Sequence, residues 1–549
     1  MADGSARLNG FMRPTERYYS GLADTARWSL IDALEEQGTR HADATWVQMT
    51  DGPSLSFGAA RADAARVAAF LHALGVAPGE PVIVMLPNGL DLIRIWLGIG
   101  RLGAIAVLLN PELRGSFLEH QVRNCGAALA IVDAALLDTF REATRGIGSL
   151  RRTCIVGAGG EPAVPGGNGA CGDFAGWIHA TPWNGARPRH LDTFCILYTS
   201  GTSGPAKGVV MPHAHCTLYG IGTLKCFQLQ SSDRYYIVLP LFHVNGLLMQ
   251  LGATLLAGIA AVVRPRFSAS GWLADIRAHR ATVTNTLGTL SAFIIAQPPS
   301  ALDRDHDLRA LLNAPNPPEH EAQFRTRFGI RDVLSGFGMT ECNIPVWGRL
   351  GESRPGAAGW THAEHFDLII ADPDTDAPRS PGEIGEILVR PRVAFGFMRE
   401  YLGLPDRTLE AWRNLWFHTG DAATMTADGL VTFVDRIKDC IRRRGENISA
   451  AEVEGVIATL AGVAEICACA VSSGRIGDED EILLAVVLAP GATLTREAIA
   501  AHADARLPRF ARPRFIRILP GLPKTATGKV QRAVLRSQGA AEAWDRDRT

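Results

Sequence analysis

The stretch FCILYTSGTSGPAKG, residues 194–208, sets hydroxyls, glycines and a lysine directly behind an apolar run. The apolar run reads as a buried strand that empties into a loop. Backbone N–H groups freed by glycine, with hydroxyls beside them, can wrap phosphate oxygens, and Lys207 adds a mobile positive charge. The loop candidates are Thr199, Ser200, Gly201, Thr202, Ser203, Gly204 and Lys207. The pattern differs from the common phosphate loop, in which glycine precedes the lysine, a hydroxyl follows it and a helix begins. Here Ala206 precedes, Gly208 follows, and the chain runs into a second strand-like stretch, Val209-Val210-Met211. The bland alternative is a flexible Gly/Ser turn.

Four further stretches carry candidate chemistry. In LPLFHVNG, residues 239–246, His243 lies among apolar residues. Taken alone it reads more readily as a satisfied core histidine. In SGFGMTE, residues 335–341, Phe337 between Gly336 and Gly338 can stack on a base. Glu341 can hold Mg²⁺ beside phosphates; the alternative is a turn with an exposed glutamate. WFHTGD, residues 416–421, ends in Asp421, with Asp435-Arg436 further on. A carboxylate can accept both hydroxyls of a ribose, and an arginine can meet sugar and phosphate. The alternative for Asp421 is a turn aspartate. LPKTATGK, residues 522–529, ends in Lys529, which alone reads as part of a solvated basic tail.

The elements that would position these residues alternate in type. Residues 28–36 and 59–74 have helical periodicity, with Ser56 capping the second; residues 81–86 and 104–109 read as strands, with a helix at 90–102 between them. Such alternation argues a mainly parallel α/β sheet. Residues 1–28 read as a loosely attached lead, and residues 156–170 as a Gly-rich surface loop. From 373 to 391, Asp, Pro and Gly punctuate short strands, which suggests a β-rich subdomain. After the charged segment 435–439 the texture changes to a compact α+β tail whose first helix spans 450–460.

Bulk properties bound the rest. The chain has 549 residues and a formal net charge of −1, so no global field favours nucleic acid or an anionic membrane. Hydrophobic residues make up 47% and charged residues 20%, as in globular proteins. Ten scattered cysteines read as reduced, mostly buried thiols in a cytoplasmic enzyme. Cys467 and Cys469 should face one side of a strand. The polar N-terminus has no signal-peptide core, the C-terminal Asp-Arg-Thr is no peroxisomal address, and the apolar run 247–263 is too broken to span a membrane.

In this order, YTSGTSGPAKG, GFGMTE, FHTGD, DRIKDCIRRRGENIS and PKTATGK resemble the acyl-adenylate-forming superfamily: acyl-CoA synthetases, amino-acid adenylation domains and firefly-type luciferases. The resemblance runs from about residue 28 to 536. RRRGENIS and PLFHVNG are most similar to the carnitine/crotonobetaine-CoA ligase branch. The resemblance implies an α/β fold with a large N-terminal domain, residues 1–435, of two α/β subdomains and a β subdomain. A hinge at 436–440 and a small mobile α+β domain at 441–549 follow. It implies ATP, Mg²⁺ and coenzyme A as cofactors, and a small-molecule carboxylic acid that becomes acyl-AMP with release of pyrophosphate and then acyl-CoA. The alternatives are an enzyme that hands acyl-AMP to a separate acyl-accepting protein, and a nucleotide-binding regulator without turnover.

By the same resemblance, residues 199–207 hold the β- and γ-phosphates, Glu341 holds Mg²⁺, and Thr340 lies near the α-phosphate. The Ser335–Gly338 segment lies against adenine, Asp421 holds the ribose, and Arg436 approaches the nucleotide. Lys529 bridges the carboxylate and the α-phosphate, and Lys438 is the hinge. His243 stands between the acyl pocket and the thiol entrance. Gly222, Gly288 and Thr289 leave room for an apolar acid of medium or large size. Two departures matter. Arg444 precedes Gly445 on the expected pantetheine passage, where many relatives have a second glycine. Phe337 replaces a commoner tyrosine. An aspartate usual in amino-acid activators near residues 242–243 is missing, which disfavours an amino-acid substrate.

Overall fold

A computed structural model describes residues 17–157, 172–199, 205–352, 354–436, 441–443, 446–448, 450–472, 480–523, 530 and 532–548. Its strands fall into five sheets. The first is built on parallel strands in the order Asp332–Leu334, Ala310–Ala314, Val283–Leu287, Arg234–Ile237, Ala260–Val263 and Thr45–Met49, with Ser54–Ser56 antiparallel at its edge. The second has a parallel centre made of Thr193–Thr199, Ile105–Leu108, Pro81–Met85, Leu129–Asp133 and Arg152–Val156. Its opposite edge is antiparallel: Lys207–Pro212 pairs with Thr193–Thr199, and Glu400–Tyr401 pairs with Lys207–Pro212. The third sheet is antiparallel and runs from Gly336–Met339 through Phe417–Met425 to Phe366–Ala371.

A short two-stranded ribbon, Ile441–Arg443 with Glu446–Ile448, leads into the C-terminal sheet of Val463–Ser472, Asp480–Leu488, Phe515–Ile518 and Trp544–Asp545. The architecture is thus a large mixed α/β N-terminal region with a smaller α+β C-terminal domain.

The strands buried on both faces are runs of Val, Ile, Leu and Ala, such as Pro81–Met85 and Leu129–Asp133, as expected where helices cover both faces. Helix Phe57–Ala73 starts where Ser56 accepts the Ala59 N–H at 3.1 Å, and helix Leu90–Leu102 has the expected bounds. The first helix spans Leu30–Arg40 rather than 28–36, because Ser29 accepts the Ile31 N–H and fixes its start. Cys467 and Cys469 pack in one apolar cluster of the C-terminal domain, and the eight described cysteines are buried free thiols.

The expectation of a loose lead fails for residues 17–28. Tyr18, Tyr19 and Trp28 are buried, the Tyr19 N–H donates to Leu256 O at 2.8 Å, and Gln37 Nε2 donates to Arg17 O at 2.8 Å. Three large aromatics in a short polar stretch are anchors, and their burial offsets the ordering of the backbone. The Gly-rich segment lies almost wholly outside the described residues. The apolar run 247–263 divides into a π-helical turn Asn245–Leu251, a helix Gly252–Ala257 and a strand Ala260–Val263. Among the described residues, no helix is long and apolar enough to cross a membrane.

Candidate active site

The sheets and the C-terminal domain enclose a cleft of about 1200 Å³. Thr199, Lys207, His243, Gly288, Ser335, Gly336, Phe337, Gly338, Thr340 and Glu341 all line it. Residues separated by well over a hundred positions in sequence are therefore brought to one wall.

Lys207 heads the strand that turns back antiparallel from Thr193–Thr199, with Thr199 and Lys207 directly paired. Thr199, Pro205, Ala206 and Lys207 all line the cleft. The Lys207 ammonium lies 3.9 Å from the centroid of the Tyr401 ring, on its face. The Tyr401 hydroxyl donates to Glu341 Oε1 at 3.0 Å, and Thr199 Oγ1 donates to the same oxygen at 3.3 Å. Burial, and then the adjacent Glu341 charge, hold the Tyr401 phenol well above its ordinary range, so it stays protonated and donating. Lys207, Tyr401 and Glu341 form one stack, and its middle member stands in none of the motifs singled out above. Tyr401 reaches it only because Glu400–Tyr401 pairs with Lys207–Pro212 at the sheet edge, which no local pattern announces.

Glu341 is buried, at 4% exposure. Its two donors share Oε1, and Oε2 has no donor among the described residues. A buried carboxylate on a cleft wall with one oxygen so placed fits a divalent cation.

The segment before Glu341 is clamped from behind by helix His213–Phe227. His215 Nε2 lies 2.8 Å from Thr340 O, its Nδ1 lies 2.7 Å from Gly396 O, and the Tyr219 hydroxyl donates to Met339 O at 2.7 Å. Gly336–Met339 and Asn343–Trp347 approach so closely that a Cβ on Gly338 would stand 2.3 Å from Asn343 O. Glycine is required there. Phe337 stacks on Phe433, with centroids 6.2 Å apart and planes at 24°, and both rings line the cleft. Together they make a flat aromatic step.

Asp421 follows the cleft-lining Thr419 and Gly420 but is not itself part of the lining; it is 1% exposed, and its own N–H donates to Thr419 Oγ1 at 3.1 Å. It pairs across the sheet with Arg436, the last residue of its strand. This stretch is held by Glu386, whose carboxylate accepts the Gly420 N–H at 2.9 Å and lies 3.0 Å from His418 Nδ1.

Gly222 is not part of the cleft wall. A Cβ built on it would meet the Trp347 indole at 3.0 Å, so that ring fills the space expected for the acyl group. Gly288 does face the cleft, against Pro315. The expected roles of Ser200, Gly201, Thr202, Ser203, Gly204, Lys438, Arg444, Gly445 and Lys529, and of the Thr289 and Arg436 side chains, lie outside the described residues.

The C-terminal domain contributes Ile448, Glu452, Asp480 and Phe510 to the cleft wall. Near the start of helix Ala450–Ile457, Glu452 accepts the Ala206 N–H at 2.5 Å. Burial pushes its carboxyl up to about 7, against the opposing pull of that hydrogen bond.

The AMP-binding enzyme family matches residues 34–402, and the AMP-binding enzyme C-terminal domain matches residues 452–529. A long-chain fatty acid transport protein 3 from Mus musculus is 31% identical over 493 residues, covering 84% of this chain and 72% of that protein. A crotonobetaine/carnitine–CoA ligase from Escherichia coli is 31% identical over 485 residues, covering 86% of this chain and 91% of that protein. The solved structure of an o-succinylbenzoate CoA synthetase mutant from Bacillus subtilis, bound with a product analogue, superposes with a TM-score of 0.79. It is 23% identical and covers 94% of this chain and 99% of that one. The motifs, the two-domain architecture and these likenesses agree: the chain belongs to the AMP-binding enzymes of the acyl-adenylate-forming superfamily, close to the crotonobetaine/carnitine–CoA ligase-like acyl-CoA synthetases.

Proposed function

We propose that this chain activates a carboxylic acid with ATP and passes the acyl group to coenzyme A. The observation that carries the reading is the Lys207–Tyr401–Glu341 stack beside the Phe337–Phe433 step in one cleft. A carboxylate oxygen attacks the α-phosphorus of ATP, the bond to the bridging oxygen breaks, and pyrophosphate leaves with that electron pair. The thiol of coenzyme A then attacks the acyl carbonyl, AMP leaves, and the thiol proton is released.

The first step gathers negative charge, so fixed cations and donors supply most of the stabilisation. Lys207 and the loop N–H groups meet the β- and γ-phosphates, and Thr340 lies near the α-phosphate. The aromatic step receives adenine, and Asp421 accepts the ribose hydroxyls. Glu341 would hold Mg²⁺ through Oε2, with Tyr401 and Thr199 fixing the carboxylate's orientation. Bound there, the ion would neutralise phosphate charge. Lys529 completes the α-phosphate site, and residues 436–440 serve as the hinge that carries it in and out. His243 separates the acyl pocket from the thiol entrance, and Arg444 and Gly445 border that entrance.

A panel of acids tests the reading: acid-dependent pyrophosphate release, acyl-AMP trapped by hydroxylamine, and acyl-CoA read by mass. Acyl-AMP and acyl-CoA together are the expected result. Trapped acyl-AMP with no thioester, across all good acids, would assign the second step to another acceptor. No pyrophosphate release with any acid would overturn the reading.

A further inference from the structure

The cleft lining includes the apolar residues Val244, Met249, Leu287 and Ile344 and, next to Val244, the side-chain amide of Asn245, at the first residue of the π-helical turn Asn245–Leu251. Turns of this kind place side chains where a regular helix would not. The orientation of the amide is set from behind. The Tyr235 hydroxyl donates to Asn285 Oδ1 at 2.6 Å. That leaves the Asn285 amide nitrogen to donate to Asn245 Oδ1 at 2.8 Å, and Gln250 Nε2 donates to the same oxygen at 3.1 Å. Tyr235, Asn285 and Gln250 are all fully buried. Run in the opposite sense, the chain would leave the buried Tyr235 proton without an acceptor among the described residues. Asn245 Oδ1 therefore takes two donors, while Nδ2 has no partner among the described residues and belongs to a side chain that lines the cleft.

A donor in an apolar pocket is costly once a ligand displaces water from it, unless the ligand supplies an acceptor. We propose that Asn245 Nδ2 donates to an oxygen on the body of the acyl group, away from its carboxylate. The substrate class is then an oxygenated acid, keto or hydroxy, rather than a plain hydrocarbon acid. The proposal rests on the acid-activation reading above. A site built to bond an oxygen rejects the analogue lacking it far more strongly than an apolar pocket rejects a missing methylene.

The test uses straight-chain acids of increasing length and their counterparts with a single ketone walked along the chain. Turnover is read as acid-dependent pyrophosphate release with ATP and Mg²⁺. Binding is read separately as the acid-dependent rise in melting temperature with AMP present. The unmodified protein should favour some ketone position over the matched plain acid, on the order of tenfold or more in kcat/KM. Asn245→Leu should abolish that preference. Asn245→Asp is isosteric and still accepts from Asn285 and Gln250, so it controls for folding. It should reverse the preference against ketones, because it turns an acceptor towards them. Pyrophosphate release without a ketone preference, or a preference that survives both substitutions, overturns the subsite and leaves the activation reading standing. A ketone preference in binding, lost in both variants, with no pyrophosphate release for any acid, overturns the activation reading and keeps the subsite. Neither binding preference nor turnover overturns both.

Discussion

At the scale of single residues, Tyr401 joins Lys207 to the buried Glu341 carboxylate. Tyr401→Phe keeps the ring under Lys207 and removes only the hydrogen bond to Glu341. A bond to a charged group contributes about 1.5–3 kcal/mol, so adenylation measured by pyrophosphate exchange should fall on the order of 10- to 100-fold. Tyr401→Leu removes the cation–π face as well and should fall further. Equal rates for the Phe variant and the unmodified protein would show that the hydroxyl does not fix the carboxylate. Lys529 offers a second test. Lys529→Ala should lose about 2.7–4 kcal/mol of transition-state stabilisation in adenylation and yet still convert pre-made acyl-AMP and coenzyme A to thioester. Lys524→Ala should do much less, and normal adenylation by Lys529→Ala would remove that residue from the reaction. Lys207, Thr340 and Glu341, which line the cleft, stand out in the sequence because each sits in a short run of unusual composition. Tyr401 was not, because its place depends on a pairing with strand Lys207–Pro212 across nearly two hundred residues. Asn245 was seen as part of a motif, but its donor direction needed Tyr235, Asn285 and Gln250 in space.

At the scale of elements, the hairpin Gly336–Met339 with Asn343–Trp347 works because its two strands nearly touch at Gly338. Gly338→Ala would force a methyl into the Asn343 carbonyl, where backbone must move. The expected cost is about 1–3 kcal/mol, seen as a lower Tm, together with weakened ATP binding as the aromatic step shifts. Retained stability and retained ATP binding together would show that the hairpin has slack. The buried strands and the helices at 57–73 and 90–102 were readable because periodicity and caps are local signals. Gly222 shows the limit of such reading. Its small size is plain, but the sequence does not say whether ligand or protein fills the space, and Trp347 fills it from the strand Asn343–Trp347. The lead segment failed for a similar reason: residues 17–28 look polar on average, and only the partners of Tyr18, Tyr19 and Trp28 reveal them as anchors.

At the scale of the whole molecule, Glu452 fastens the C-terminal domain to the backbone N–H of Ala206. Burial raises its carboxyl to about 7, above the ordinary glutamate value of 4.5. The docked state therefore binds the proton more tightly than the undocked one. The sign follows: docking is favoured most below the ordinary carboxyl range and is lost progressively as pH rises through about 7. Hydrogen exchange in a peptide covering residues 205–212 should show protection at Ala206 that declines across that window, after correction for intrinsic exchange. Glu452→Gln should flatten the decline. A profile identical in the Gln variant would assign the titration to a different group.

The same contact has a consequence for the order of events. One N–H cannot serve Glu452 and a phosphate oxygen together. If the loop holds the departing pyrophosphate as proposed, the arrangement seen here can form only after pyrophosphate has left that amide. Turnover should then follow a ping-pong pattern, with the first product gone before coenzyme A reacts. Added pyrophosphate should slow acyl transfer even from pre-made acyl-AMP, by holding open the place that Glu452 would take.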